Sequence, residues 1–72
     1  MEEKKRNTII TPKEKKIIEF IAAGYTDKEI AESLNLTYFV IRNMFHNLLI
    51  KTGTVNRAHL VSFAYREGIL KH

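Results

Sequence analysis

Residues 26–51, TDKEIAESLNLTYFVIRNMFHNLLIK, constrain this chain more than any other segment. They read as two helices separated only by Asn35-Leu36-Thr37. The second helix carries Arg42, Asn43, His46 and Lys51 and no acidic residue. A short helix, a tight turn and a longer basic helix form the arrangement that sets a helix in the major groove of DNA. The same helix opens on Tyr38-Phe39-Val40, an apolar run where DNA-reading helices usually offer polar groups.

The flanking residues extend the pattern to four helices. Thr11-Pro12-Lys13-Glu14 is a helix start. Thr11 caps, Pro12 suits the first helical position, and Glu14 completes a capping box. Ile17, Ile18, Phe20 and Ile21 supply an apolar face, and Gly24 stops the helix at Ala23. Thr26-Asp27-Lys28-Glu29 repeats the capping box, with Ile30, Ala31 and Leu34 turned inward. Thr37 caps the third helix. Its inward positions fall at Ile41, Phe45, Leu48 and Thr52, flanked by Met44 and Leu49, at spacings of three and four. Gly53 ends it. Asn56 caps a fourth helix through Leu60, Val61, Phe63, Ala64 and Tyr65, closed by Gly68, and Ile69-Leu70 follows as an apolar tail. No strand alternation competes, so the expected fold class is all-α. Residues 1–8 read as a flexible basic arm and residues 9–72 as one four-helix domain.

A chain of 72 residues buries only about 60% of the surface its unfolded form exposes. With no cysteine, neither a disulfide framework nor a thiolate metal site can reinforce so small a core. Stability must come from helix packing, from dimerisation, or from both. The lack of cysteine fits the reducing cytoplasm. No apolar run reaches the roughly 18–20 residues needed to span a membrane. The charged start, Met1 to Arg6, has no hydrophobic segment after it, which argues against a secretory signal. The formal charge is +4, compatible with a polyanionic partner. Its distribution says more. From Thr26 to Leu34 one lysine faces three acids, a net of −2; from Thr37 to Thr52, Arg42 and Lys51 give +2.

Catalysis finds little support. The chain has no glycine-rich phosphate loop and no histidine cluster at metal-ligand spacing. His46, His59 and His72 are scattered. No catalytic residue, cofactor or metal is expected. If Ile41, Phe45 and Leu48 face the core, the opposite stripe holds Tyr38, Phe39, Arg42, Asn43, His46 and Ile50. Arg42 can donate two hydrogen bonds to guanine, and Asn43 can pair in the same way with adenine. His46, one turn on, can reach a base edge or a phosphate. Lys28, near the start of the second helix, suits the phosphate backbone. Spacing alone does not separate this reading from an ordinary wet helix face.

The motifs around this segment resemble the LuxR/GerE type of helix-turn-helix domain, a four-helix fold found alone or as the output domain of response regulators. Ile10-Thr11-Pro12-Lys13-Glu14 stands where that family has its leucine-threonine pair and basic-acidic run. Lys28-Glu29-Ile30-Ala31 is the family's K-E-I-A signature, and Gly24 is the glycine that ends its first helix. Leu34-Asn35-Leu36-Thr37 fits the turn, and Ile41-Arg42-Asn43 fits V-K-N. Asn47-Leu48-Leu49 with Lys51 and Gly53 fits N-I-L-x-K-L-G, and Arg57 matches the arginine that starts the last helix. The resemblance covers about residues 9–70. It implies double-stranded DNA as partner, with Arg42, Asn43 and His46 facing the bases. Lys28, Thr37, Lys51 and Arg57 become backbone-contact candidates. It also implies a homodimer through the fourth helix, with Phe63, Tyr65 and Ile69 as the interface candidates, and a repeated DNA half-site.

The chain departs from the family pattern at several positions. Tyr38, Phe39 and Val40 replace polar residues and a hydroxyl, Met44 replaces a histidine, Thr52 a leucine and Lys16 a glutamate. Tyr38 and Phe39 allow three readings. They pack against the first helix or the arm, through Ile9; they touch thymine methyls or stack at the DNA surface; or they form a protein-binding patch. The last would make the chain an adaptor or anti-activator that has lost DNA binding. Fold alone does not choose among them.

Overall fold

Four helices follow one another: α1 Pro12–Ala22, α2 Asp27–Leu34, α3 Tyr38–Thr52 and α4 Arg57–Arg66. The structure, a computed structural model, describes residues 9–71; the expected arm at residues 1–8 and His72 lie outside them. No strand occurs among the described residues.

The helix starts follow from the caps. Thr11 Oγ1 accepts from the Glu14 amide at 3.1 Å, and Glu14 Oε1 accepts from the Thr11 amide at 2.9 Å. Thr26 and Glu29 repeat the reciprocal pair at 3.1 and 2.8 Å. Thr37 Oγ1 accepts from the Val40 amide at 3.2 Å, and Asn56 Oδ1 from the His59 amide at 2.8 Å. Each such cap satisfies an otherwise orphaned helix donor and is worth about 1 kcal/mol.

The helix ends share one device. The amides of Tyr25, Leu36, Thr54 and Ile69 donate back to the carbonyls of Phe20, Ala31, Leu49 and Ala64. A left-handed residue turns the chain each time. Three of these are glycines, but in the turn between α2 and α3 it is Asn35, at φ 58°. Asparagine tolerates that region better than other residues with a Cβ. Asn35→Ala is expected to cost roughly 1 kcal/mol of stability, and Asn35→Gly to leave it unchanged or slightly raised. Urea titration of the two variants checks this. An alanine variant as stable as the parent would contradict it.

The apolar faces meet in one core. Ile17, Ile18 and Ile21 come from α1, Ile30 and Ala31 from α2, Ile41 and Leu48 from α3, and Leu60 and Ala64 from α4. α2 packs chiefly on α3 and α1 on α4, so α3 is held from one side and keeps its opposite face for solvent. Leu70 of the C-terminal tail folds back into this core, its amide donating to Ala64 O at 3.1 Å. Phe45, expected inward, is half-buried, with the Arg57 guanidinium 5.4 Å from its ring centre.

Phe63, an interface candidate by resemblance, resolves differently from that expectation, whereas Thr52 lies inward as its spacing implies. Phe63 is 7% exposed and belongs to the interior. It follows Leu60 by three residues and shares its face, so it is not available to a second copy of the chain. Tyr65 and Ile69 are half-buried and pack against the core edge. Thr52, standing where the family has leucine, is buried too. Its hydroxyl lies 2.7 Å from Leu48 O and 2.8 Å from Thr54 Oγ1, itself buried. A buried hydroxyl costs free energy only when left without partners, and here it has both.

Candidate nucleic-acid interface

Burying Ile41, Leu48 and Thr52 turns the far side of α3 outward. Phe39, Arg42, Asn43, His46 and Ile50 lie there, all exposed, at helical spacings of three and four. No acid interrupts α3, and none sits in its first turn, so the helix N-terminus adds to a surface suited to phosphate. The stripe thus sets three polar residues between Phe39 and Ile50, and both polar and apolar groups find partners on base edges and thymine methyls in the major groove.

Arg42 is the most constrained member. Its Nη1 donates to the Tyr38 hydroxyl at 3.0 Å, and its guanidinium carbon lies 5.8 Å from the Tyr38 ring centre. Its Nε is 4.0 Å from Asp27 Oδ2. The Tyr38 hydroxyl first, and Asp27 more weakly, favour the charged guanidinium and hold its pKa above the ordinary value. The side chain is still 56% exposed, so its remaining donors face solvent.

The expected backbone contacts divide into two groups. Lys28 and Thr37 are exposed. Thr37 Oγ1 accepts the Val40 amide, which leaves its own proton to donate outward. Lys28 lines a shallow cleft between α2 and α3 with Asp27, Tyr38 and Arg57. Arg57 and Lys51 also have partners inside the domain. Arg57 Nη2 donates to Asp27 Oδ1 at 2.8 Å and its Nη1 to Tyr25 O at 3.1 Å. Lys51 Nζ meets Glu14 Oε1 at 2.8 Å. Both cations tie helices together, and each brings its charge to a protein acid before any phosphate.

The Lys51 pair has a pH signature. Burial alone would raise the Glu14 carboxyl, but hydrogen bonds from Lys51 and the Thr11 amide, with the Lys51 charge, outweigh it and hold the pKa below 4.5. A carboxyl lowered by folding stabilises the fold above its ordinary range, and that contribution is lost as pH falls through the lowered value. The gap in melting temperature between the parent and Glu14→Gln is therefore expected to be widest near neutral pH. It should close as the pH drops below about 4.5. A gap constant across that range would contradict the coupling.

The Tyr38-Phe39 pair does not pack away against α1. Tyr38 is 44% and Phe39 77% exposed. Their rings meet edge to face, with centroids 6.0 Å apart. Tyr38 and Arg42, four apart on one helix, are a pair the sequence could have shown. Asp27 carried no such signal. As the first residue of α2 it reads as an ordinary helix-dipole acid, yet it faces both Arg42 and Arg57. His59 has a local task, its Nδ1 accepting from the Val55 amide at 3.2 Å.

The family model described as bacterial regulatory proteins, luxR family, matches residues 8–64. The chain belongs to the LuxR family. Among curated relatives, it is 38% identical to the transcriptional regulatory protein MctR of Rhizobium johnstonii, over 85% of this chain and 28% of that one. It is 34% identical to the response regulator Rre1 of Synechocystis, over 82% of this chain and 26% of the relative. With the probable transcriptional regulator ycf29 of Cyanophora paradoxa the identity is 33%, over 83% and 29%. The chain thus spans less than a third of the length of these relatives. No solved structure gives a significant match. Four helices without a strand among the described residues agree with the DNA-binding helix-turn-helix domain of LuxR regulators. Among the described residues, no helix is long and apolar enough to cross a membrane.

Proposed function

We propose that this LuxR-family domain reads double-stranded DNA sequence-specifically with α3 in the major groove, as part of transcription regulation in the cytoplasm. One observation carries the reading: the solvent face of α3 holds Arg42, Asn43 and His46 exposed in register, with no acid beside them on that helix. Arg42 pairs with guanine, Asn43 with adenine, and His46 with a base edge or phosphate. Lys28 and Thr37 hold the backbone. A homodimer through α4 and the tail, using Tyr65 and Ile69 and not the buried Phe63, sets the spacing of two half-sites.

Phosphate contacts make such binding salt-dependent, each adding about 0.9 to the slope of log affinity against log salt. Lys28→Ala is expected to weaken binding to all duplexes alike and to lower that slope by about one. Lys51→Ala and Arg57→Ala are expected to lower thermal stability and leave the slope near the parent's. Fluorescence polarisation across a salt series, beside thermal melts, separates the two groups. A Lys28→Ala slope equal to the parent's would remove Lys28 from the interface.

A second reading draws on the exposure of Phe39. A bare aromatic beside a tyrosine also suits a protein partner, with the fold retained and DNA binding lost. Phe39→Lys tests it. Loss of a protein contact in a chain that binds no duplex would favour this second reading.

A further inference from the structure

The Tyr38–Arg42 contact does more than fill space on the helix surface. We propose that Tyr38 is a specificity-determining residue of α3, because its hydroxyl and Asp27 hold the Arg42 guanidinium in one pose before DNA arrives. The proposal rests on the DNA-reading function above and assigns a task to a residue that departs from the family pattern.

Four observations carry it. Arg42 Nη1 donates to Tyr38 Oη at 3.0 Å, and the guanidinium lies against the ring at 5.8 Å. On another side, Arg42 Nε faces Asp27 Oδ2 at 4.0 Å. Asp27 is itself fixed, its other oxygen taking the Arg57 Nη2 hydrogen bond at 2.8 Å. Phe39 meets the Tyr38 ring edge-on and limits its swing. The clamp therefore runs from α4 through α2 to α3.

The donor count leaves Arg42 able to read a base. A guanidinium has five N–H donors, and Tyr38 uses one on Nη1. Both Nη2 protons and the second Nη1 proton remain for guanine O6 and N7. A long exposed side chain loses much rotamer freedom when it docks. Holding it in advance removes part of that cost, but only for a complex that uses the held pose. A complex in which Arg42 swings to a phosphate must first break the clamp. Tyr38 thus favours the specific complex over the nonspecific one, which no phosphate contact can do.

The test begins with duplexes selected from a random pool by the parent domain. Affinities of the parent, Tyr38→Phe, Arg42→Ala and the double variant are then measured on the selected duplex and on an unrelated one. Tyr38→Phe removes one exposed hydroxyl and keeps the ring, so the fold is retained. It is expected to lose about three- to tenfold on the selected duplex, as a single hydrogen bond implies, and less than about twofold on the unrelated one. In the Arg42→Ala background the same change is expected to have no effect, because the two residues act as a pair. An equal loss on both duplexes would make Tyr38 a phosphate contact and overturn the proposal. So would an undiminished loss without Arg42, or no loss at all. If the parent binds no duplex, the DNA-reading function itself fails, and this proposal with it.

Discussion

Arg42→Ala is expected to lower affinity for a selected duplex by roughly ten- to a hundredfold and to relax the preference at one base pair. The fold should be unaffected, because Arg42 faces solvent from α3 and its partners, Tyr38 and Asp27, stay satisfied without it. Tyr38 is open to water, and Asp27 keeps Arg57 at 2.8 Å. A bidentate arginine–guanine pair discriminates by leaving the wrong base with unmatched groups, so removing the arginine flattens the preference as well as weakening binding. The salt slope changes little when the lost contact is to a base. Polarisation titrations with the selected duplex and with single-base variants measure both effects. If Arg42→Ala binds every duplex as the parent does, Arg42 is not a reader.

One residue earlier on the same helix, the outcome reverses. Ile41 is fully buried, packed where α2 and α3 meet the other two helices. Ile41→Ala is expected to cost about 2–5 kcal/mol, the range for removing a large aliphatic side chain from a closed core. Alanine is a better helix former than isoleucine, so the loss is one of packing and not of helix propensity. A domain of this size holds on the order of 5–10 kcal/mol in total. The substitution therefore removes much of the margin. The melting temperature should fall by roughly 10 °C or more, since 1 kcal/mol shifts a domain of this length by about 4–8 °C. Thermal and urea unfolding followed by circular dichroism measure it. A fall of only a degree or two would mean that the site collapses around the cavity or that the helix is not held there. Where Ile41→Ala is still folded, its base preference should match the parent's.

These two neighbours also show what local pattern can reveal. The inward positions Ile41, Leu48 and Thr52 and the caps Thr11, Thr26, Thr37 and Asn56 all emerge from spacing and side-chain chemistry within four residues of each other. Such features are local, so periodicity exposes them. The outward stripe follows as the complement. The family resemblance makes Lys51 and Arg57 backbone-contact candidates, and the structure adds acid partners 37 and 30 residues away, on α1 and at the start of α2. Nothing within a helical turn announces an ion pair between elements. Phe63 and Tyr65 posed a similar problem. Both are aromatic, and Phe63, three residues after Leu60 on the same face, is the one that goes inside. Thr52 departs from the family's leucine, and its partner Thr54 becomes meaningful only when both hydroxyls are buried together.

Tyr38-Phe39 was the segment least readable in advance. Packing, groove contact and protein contact all suit two aromatics at the start of a helix. The exposure of Phe39 removes packing against α1 as its explanation, and the hydrogen bond from Arg42 gives Tyr38 a role beside the reading face. What had looked like an interruption of a polar helix start is, on this geometry, a brace for its arginine.

Selection of bound sequences from random duplex DNA, followed by titration of the winner at low salt, tests the reading of α3 most directly. One enriched motif containing a guanine whose contribution disappears in Arg42→Ala is the expected result, with affinity that falls steeply as salt rises. Failure to bind any duplex more tightly than about 10⁻⁴ M, the weak end of nonspecific association, would contradict it.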